Sequence, residues 1–131
     1  MIGASVAALA VVSAAVVQAH ADVGVGPSAL TLTVGDGESL DAATNQRTVL
    51  LVCSPTVLGA HPQPGPACDE LAAGGGDFGQ LRDAPMRFCE FLYKPVTVAA
   101  DGVWNGAAVS YRRTFPNSCM EKNASKYVFA F

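Results

Sequence analysis

The chain is poor in the residues that most chemistry requires. Histidine occurs only twice in 131 residues, at His20 and His61. No Cys-x-x-Cys pair is present, so a tetrahedral zinc site has no ligand set to draw on. There is no Gly-x-Ser-x-Gly elbow, and a serine–histidine enzyme would have to use His61, which has no recognisable nucleophile near it. Gly74-Gly75-Gly76 follows no strand and precedes no Lys-Ser or Lys-Thr, which excludes a phosphate-binding loop. Eight basic residues face eleven acidic ones, and the resulting net charge of −3 argues against a nucleic-acid partner, whose phosphates need a basic surface. No enzyme, cofactor or metal reading is left with a residue set behind it.

Charge is missing altogether from residues 1–21 apart from His20. This stretch is mostly Ala and Val, and Ala19-His20-Ala21 has the small-x-small form of a signal-peptidase site. It is at the short end of the roughly 20 apolar residues a membrane span needs, and no basic residues flank it. It reads as a cleaved secretory signal with maturation near Asp22. Residues 22–131 then form a single domain that carries every Asp, Glu, Lys and Arg of the chain.

Four cysteines remain, at positions 53, 68, 89 and 119. An even number in a secreted chain reads as a disulfide framework. Three pairings are possible. Pairing in chain order closes loops of about 15 and 30 residues, each worth roughly 3 to 4 kcal/mol in the chain-entropy model. A domain this small buries a modest core and benefits from such staples.

Along the chain, residues 22–28 read as a glycine-containing N-terminal arm. Ala29-Leu30-Thr31-Leu32-Thr33-Val34 alternates apolar and polar, the period of a strand. Thr48-Val49-Leu50-Leu51-Val52-Cys53 reads as a second, more buried strand. Residues 54–66, with four prolines, form a long loop that holds His61. Residues 67–73 form a short helix with Pro66 at its start and Gly74 as its stop. A further helical turn is expected over 77–83. Pro95-Val96-Thr97-Val98-Ala99 is a third strand, and Asp101-Gly102 is the expected hairpin turn, with Asn105-Gly106 a second turn signal close behind. Residues 107–115 make a fourth strand. Residues 120–126 are expected to form one or two helical turns, and Asn123-Ala124-Ser125 matches a glycosylation acceptor. Tyr127-Val128-Phe129-Ala130-Phe131 reads as a terminal fifth strand. The sum is an α+β domain, a mainly antiparallel sheet of about five strands with two short helices.

One stretch resists this inventory. Arg87-Phe88-Cys89-Glu90-Phe91-Leu92-Tyr93-Lys94-Pro95 is rich in large apolar side chains, contains a cysteine and lies between two prolines, so it does not sit inside a regular helix. Two readings stand: a core strand pinned by a disulfide, or an exposed recognition loop held rigid by it. A rigid apolar loop suits the cleft of another protein, because a loop already in its bound shape loses little conformational entropy on docking.

Several blocks together resemble the Streptomyces subtilisin inhibitor family, small secreted bacterial inhibitors of serine proteases. They are Pro27-Ser28-Ala29-Leu30-Thr31-Leu32-Thr33-Val34-Gly35, His61-Pro62-Gln63-Pro64-Gly65, Ala67-Cys68, Leu71-Ala72-Ala73, Gly75-Gly76-Asp77, Asp101-Gly102-Val103-Trp104, Val109-Ser110-Tyr111 and Val128-Phe129-Ala130-Phe131. The resemblance covers the whole of residues 22–131. It implies the disulfides Cys53–Cys68 and Cys89–Cys119, and a homodimer with one reactive site per subunit. It also implies that the stretch through Cys89 is the protease-binding loop. Phe91 is then P1 and Leu92 P1′, flanking the reactive-site bond, with Phe88 at P4, Cys89 at P3, Glu90 at P2 and Tyr93 at P2′. Glu90 stands where the family often has proline, and Phe91 where Met or Lys is common. An uncharged aromatic suits the apolar S1 site of subtilisins and the slot of chymotrypsin, not the S1 aspartate of trypsin. The expected partner is therefore an extracellular subtilisin-like protease. The alternatives are an inhibitor aimed at a secreted metalloprotease and a non-inhibitory extracellular binding module. No cofactor, metal, nucleic acid or membrane enters any of these readings.

Overall fold

In the computed structural model, which describes residues 26–131 except residue 84 together with residues 2–4, 7, 10, 11 and 13, the alternating run begins the central strand. The expected signal of residues 1–21 and the expected arm of residues 22–28 lie for the most part outside the described residues. Strand β1 spans Ser28–Asp36. Its period-two pattern turns Leu30, Leu32 and Val34 into the core and leaves the threonines on the reverse face, where Thr33 and Thr48 share a 3.3 Å hydroxyl contact across the strands. Strand β1 pairs with β2 (Thr44–Ser54) on one side and with β3 (Val96–Trp104) on the other, and β4 (Ala107–Phe115) pairs with β3 to complete the order β2-β1-β3-β4. All three pairings are antiparallel.

Helix α1 (Pro64–Ala73) begins three residues earlier than the sequence suggests, with Pro64 in its first turn, where a missing N–H costs nothing. It turns Ala67, Cys68 and Leu71 inward, and the Cys53–Cys68 disulfide ties it to β2. Helix α2 (Ser118–Ala124) follows β4 directly. The expected turn over 77–83 is a single 3-10 turn at Phe78–Gln80. The core lies between one face of the sheet and these segments. Leu32, Leu51, Val98 and Phe115 meet Leu71, Phe78, Leu81, Val128 and Phe129. Phe78 stacks on Tyr111 at 5.2 Å between ring centroids.

Two expectations are corrected. The hairpin between β3 and β4 turns at Asn105 and Gly106, both at positive φ (48° and 79°), the requirement of a tight primed turn, and not at Asp101-Gly102. Gly102 stays inside β3, where an added Cβ would lie 2.1 Å from the Ala29 carbonyl oxygen. Its glycine serves the close approach of β1, not a turn. Among the described residues the sheet also has four strands, not five. The C-terminal segment reaches the core through Val128 and Phe129 but joins no ladder. The Glu70 carboxylate takes its amides instead, accepting from the N–H groups of Lys126 (2.7 Å), Tyr127 (3.0 Å) and Val128 (3.0 Å). His61, 3% exposed, completes the clamp. Its Nδ1 accepts from the Gln63 N–H, which leaves Nε2–H to donate to the Val128 carbonyl at 2.9 Å. This histidine is structural.

Removing the Glu70 carboxylate strands three backbone donors. Glu70→Ala is expected to lower stability by about 1–3 kcal/mol in urea unfolding, with Glu70→Gln in between. A loss below about 0.5 kcal/mol would show that the C-terminal segment is held by its apolar side chains alone.

Candidate functional site

Between the 3-10 turn and β3, residues 85–95 form no helix or strand. The core-strand reading is overturned by exposure. Phe91 is fully exposed, Phe88 is 93% exposed, and Met86, Leu92 and Tyr93 are each more than half exposed. A stretch of large apolar side chains in water calls for something other than burial to give it a shape.

That shape comes from α2 and its cap. Asn117 is the N-cap residue of α2, and its Oδ1 accepts from the Met120 N–H at 2.9 Å. The Nδ2 of the same side chain donates to the Leu92 carbonyl at 2.8 Å and, more weakly, to the Glu90 carbonyl at 3.4 Å. One buried amide thus caps a helix and holds carbonyls on both sides of the Phe91–Leu92 bond. Two residues on, Cys119 is bonded to Cys89. Asn123 grips the entrance to the loop. It accepts from the Arg87 N–H at 3.0 Å and donates to the Arg87 carbonyl at 2.9 Å, while the Arg87 guanidinium pairs with Asp83 at 2.7 Å. At the exit, the Lys94 N–H donates to the Pro116 carbonyl at 2.8 Å.

Within the loop, the Leu92 N–H donates to the Glu90 carbonyl at 3.0 Å. This closes a three-residue turn with Phe91 at its apex. An apolar hollow of about 150 Å³ lies between Phe91, Leu92 and Cys89 on one side and Pro116, Asn117 and Met120 on the other. The loop is therefore suspended on hydrogen bonds and a disulfide, not packed onto the core. The structure brings together all six expected loop residues, Phe88, Cys89, Glu90, Phe91, Leu92 and Tyr93, and pairs the cysteines as Cys53–Cys68 and Cys89–Cys119.

Sequence reading missed the two asparagines. Asn117 lies just past the expected fourth strand, and its place before Ser118-Cys119-Met120 is that of a helix cap. Asn123 reads as a glycosylation acceptor. In the fold it is 4% exposed and engaged with Arg87, so no glycan has access to it.

Glu121 sits on the same short helix, 7% exposed. Burial pushes its carboxyl up from 4.5 to about 7, against the opposing pull of Lys122, Arg47 and Arg87.

Comparison with known proteins is consistent along most of the chain. Residues 26–117 match the family model described as subtilisin inhibitor-like. Subtilisin inhibitor-like protein 4 of Streptomyces lavendulae is 49% identical over 105 residues, which are 80% of this chain and 90% of that protein. Trypsin inhibitor STI2 of Streptomyces longisporus is also 49% identical, over 80% of this chain and 73% of that one. Among solved structures, Streptomyces caespitosus sermetstatin in complex with Bacillus licheniformis subtilisin superposes with a TM-score of 0.70 at 40% identity, covering 81% of this chain and all of the other.

The raised Glu121 carboxyl makes stability depend on pH. Between pH 4.5 and about 7 the folded state keeps a proton that the unfolded chain has released, so stability falls as pH rises through that window. Urea unfolding at pH 5 and pH 8 should differ by on the order of 1–3 kcal/mol, the acidic sample being the more stable. Glu121→Gln should remove most of that difference; an unchanged difference would place its origin elsewhere.

Proposed function

The chain belongs to the subtilisin inhibitor-like family, a family of protease inhibitors and not of enzymes, and from that premise we propose that it is a secreted, substrate-like inhibitor of subtilisin-like serine proteases. Its reactive-site bond is Phe91–Leu92. The observation that carries the reading is the fully exposed Phe91 at the apex of a loop whose flanking carbonyls are both held by Asn117.

In this reading Phe91 enters the S1 pocket as P1. Glu90, Cys89 and Phe88 lie along the enzyme as P2 to P4, pairing as an added strand, and Leu92 and Tyr93 are P1′ and P2′. The protease serine attacks the Phe91 carbonyl, and the departing group is the Leu92 amine. In a substrate that amine diffuses away. Here the acyl side is tied through Cys89 to Cys119, and the amine side through the Leu92 carbonyl to Asn117, two residues apart on one rigid segment. The amine stays beside the acyl group at high effective molarity, and religation competes with hydrolysis. Interfaces of this class bury about 1,600 Å² and include some of the tightest complexes known. The apolar S1 partner of Phe91 extends the reading to chymotrypsin-like enzymes and sets it apart from trypsin.

The reading includes a mature domain of residues 22–131 released from a signal of residues 1–21, and an extracellular homodimer with one loop per subunit. The two disulfides support export to an oxidising compartment. The exposure of Phe91 removes the main support for a binding module in which this residue would belong to the core.

Titration against subtilisin should abolish activity near one loop per enzyme. Activity that persists at several-fold excess, with the inhibitor intact, sinks the proposal. The same sample in sedimentation velocity at micromolar concentration should show the mass of a dimer; a monomer would remove that part of the reading. Phe91→Lys should tighten inhibition of trypsin by roughly 30-fold or more, because the S1 aspartate gains a cation. No gain would mean that Phe91 is not P1.

A further inference from the structure

Beyond the cleavable bond, the loop makes a contact that belongs to none of the anchors described above. The backbone of Tyr93 is held on both sides, by Asn117 at the Leu92 carbonyl and by the Pro116 carbonyl at the Lys94 N–H. The residue is 68% exposed, and its phenol donates to the carboxylate of Glu38, 55 residues earlier in the chain. Glu38 lies in the turn that follows β1, and that turn is built into the sheet. The Gly37 N–H donates to the Pro95 carbonyl at 2.9 Å. The Gly37 carbonyl accepts from the Thr97 hydroxyl at 2.8 Å, and the Glu38 carbonyl accepts from the Thr114 hydroxyl at 3.2 Å. The two threonine hydroxyls are themselves 2.8 Å apart. The carboxylate therefore hangs from a backbone fixed by β3 and β4, and the phenol from a backbone fixed by the segment leading into α2.

We propose that Glu38 is a positioning residue for the primed side of the loop. Its carboxylate holds the Tyr93 ring in the orientation in which it meets the protease. It also helps keep Leu92 and Tyr93 in register after the Phe91–Leu92 bond is hydrolysed, when one water is consumed and a Phe91 carboxylate and a Leu92 amine are formed. This role rests on the reading of Phe91–Leu92 as the reactive-site bond. An exposed tyrosine would otherwise have to be ordered on docking, at a cost in side-chain entropy that the tether removes in advance. The contact also leaves a mark on the free protein. The Glu38 hydrogen bond first, then desolvation and the carboxylate charge, raise the Tyr93 phenol above its ordinary value of 10.0.

The test is a double-mutant cycle on subtilisin inhibition, with wild type, Glu38→Ala, Tyr93→Phe, the double variant and Glu38→Gln. Each variant is also followed for the fraction of Phe91–Leu92 bond hydrolysed at equilibrium, and tyrosine-labelled NMR follows the phenol titration in the free protein. Glu38→Ala and Tyr93→Phe should each weaken inhibition by about three- to tenfold, with the double variant no worse than either single one. Glu38→Gln, whose amide oxygen still accepts, should stay close to wild type. The hydrolysed fraction should rise in Glu38→Ala and Tyr93→Phe, and the Tyr93 titration should move down in Glu38→Ala. Wild-type inhibition with an unaffected Glu38→Ala, or with effects that simply add in the double variant, overturns the role of Glu38 and leaves the reactive-site reading standing. A wild-type protein that does not inhibit subtilisin overturns both.

Discussion

One buried asparagine carries much of the structure's logic. Asn117 caps α2 with its oxygen and holds the Glu90 and Leu92 carbonyls with its nitrogen. A seven-residue helix has no stability of its own, because nucleation costs more than so few hydrogen bonds return. It persists here because the cap and the Cys89–Cys119 bond fix its first turn, and Asn123 ties its last turn to Arg87. The loop in turn has a shape only because the helix does. Helix and loop therefore order one another, and the sheet enters by fixing where β4 ends.

This arrangement answers a physical difficulty. A chain that leaves Met86, Phe88, Phe91, Leu92 and Tyr93 in water exposes apolar surface that favours collapse or association. Packing those side chains against the core would remove them from use. Polar anchors aimed at the loop backbone hold its course and leave the side chains outside. The opposite economy appears at Glu121, one turn along the same helix, where a carboxyl is drawn inside and its charge is disfavoured. The short segment of residues 117–123 thus concentrates both the support of the loop and a titration-sensitive element of stability.

Much of the fold is legible in local pattern. The alternation of residues 29–34 announces β1, the apolar run of residues 48–53 announces β2, and Gly74 marks the end of α1, whose start lies three residues before the expected one. Errors arose where a local signal has two uses. Asp101-Gly102 and Asn105-Gly106 both fit a turn, and only the approach of β1 to Gly102 decides between them. Residues 127–131 carry strand spacing, but Glu70, far off in sequence, claims their amides before any strand can. Asn123 matches a glycosylation motif that burial makes unusable.

The candidate site divides along the same line. The sequence by itself determined the loop's composition, its bounding prolines, its cysteine and the aromatic at its centre, since these are properties of consecutive residues. It left open whether those side chains lie inside or outside, because an apolar segment beside a cysteine suits a core strand equally well. Only the tertiary structure decided this. The partners that hold the loop, Asn117, Cys119, Asn123 and Glu38, stand about 25 to 55 residues away in the chain. Contacts across such separations follow from how the sheet and helices pack, and no local pattern records them.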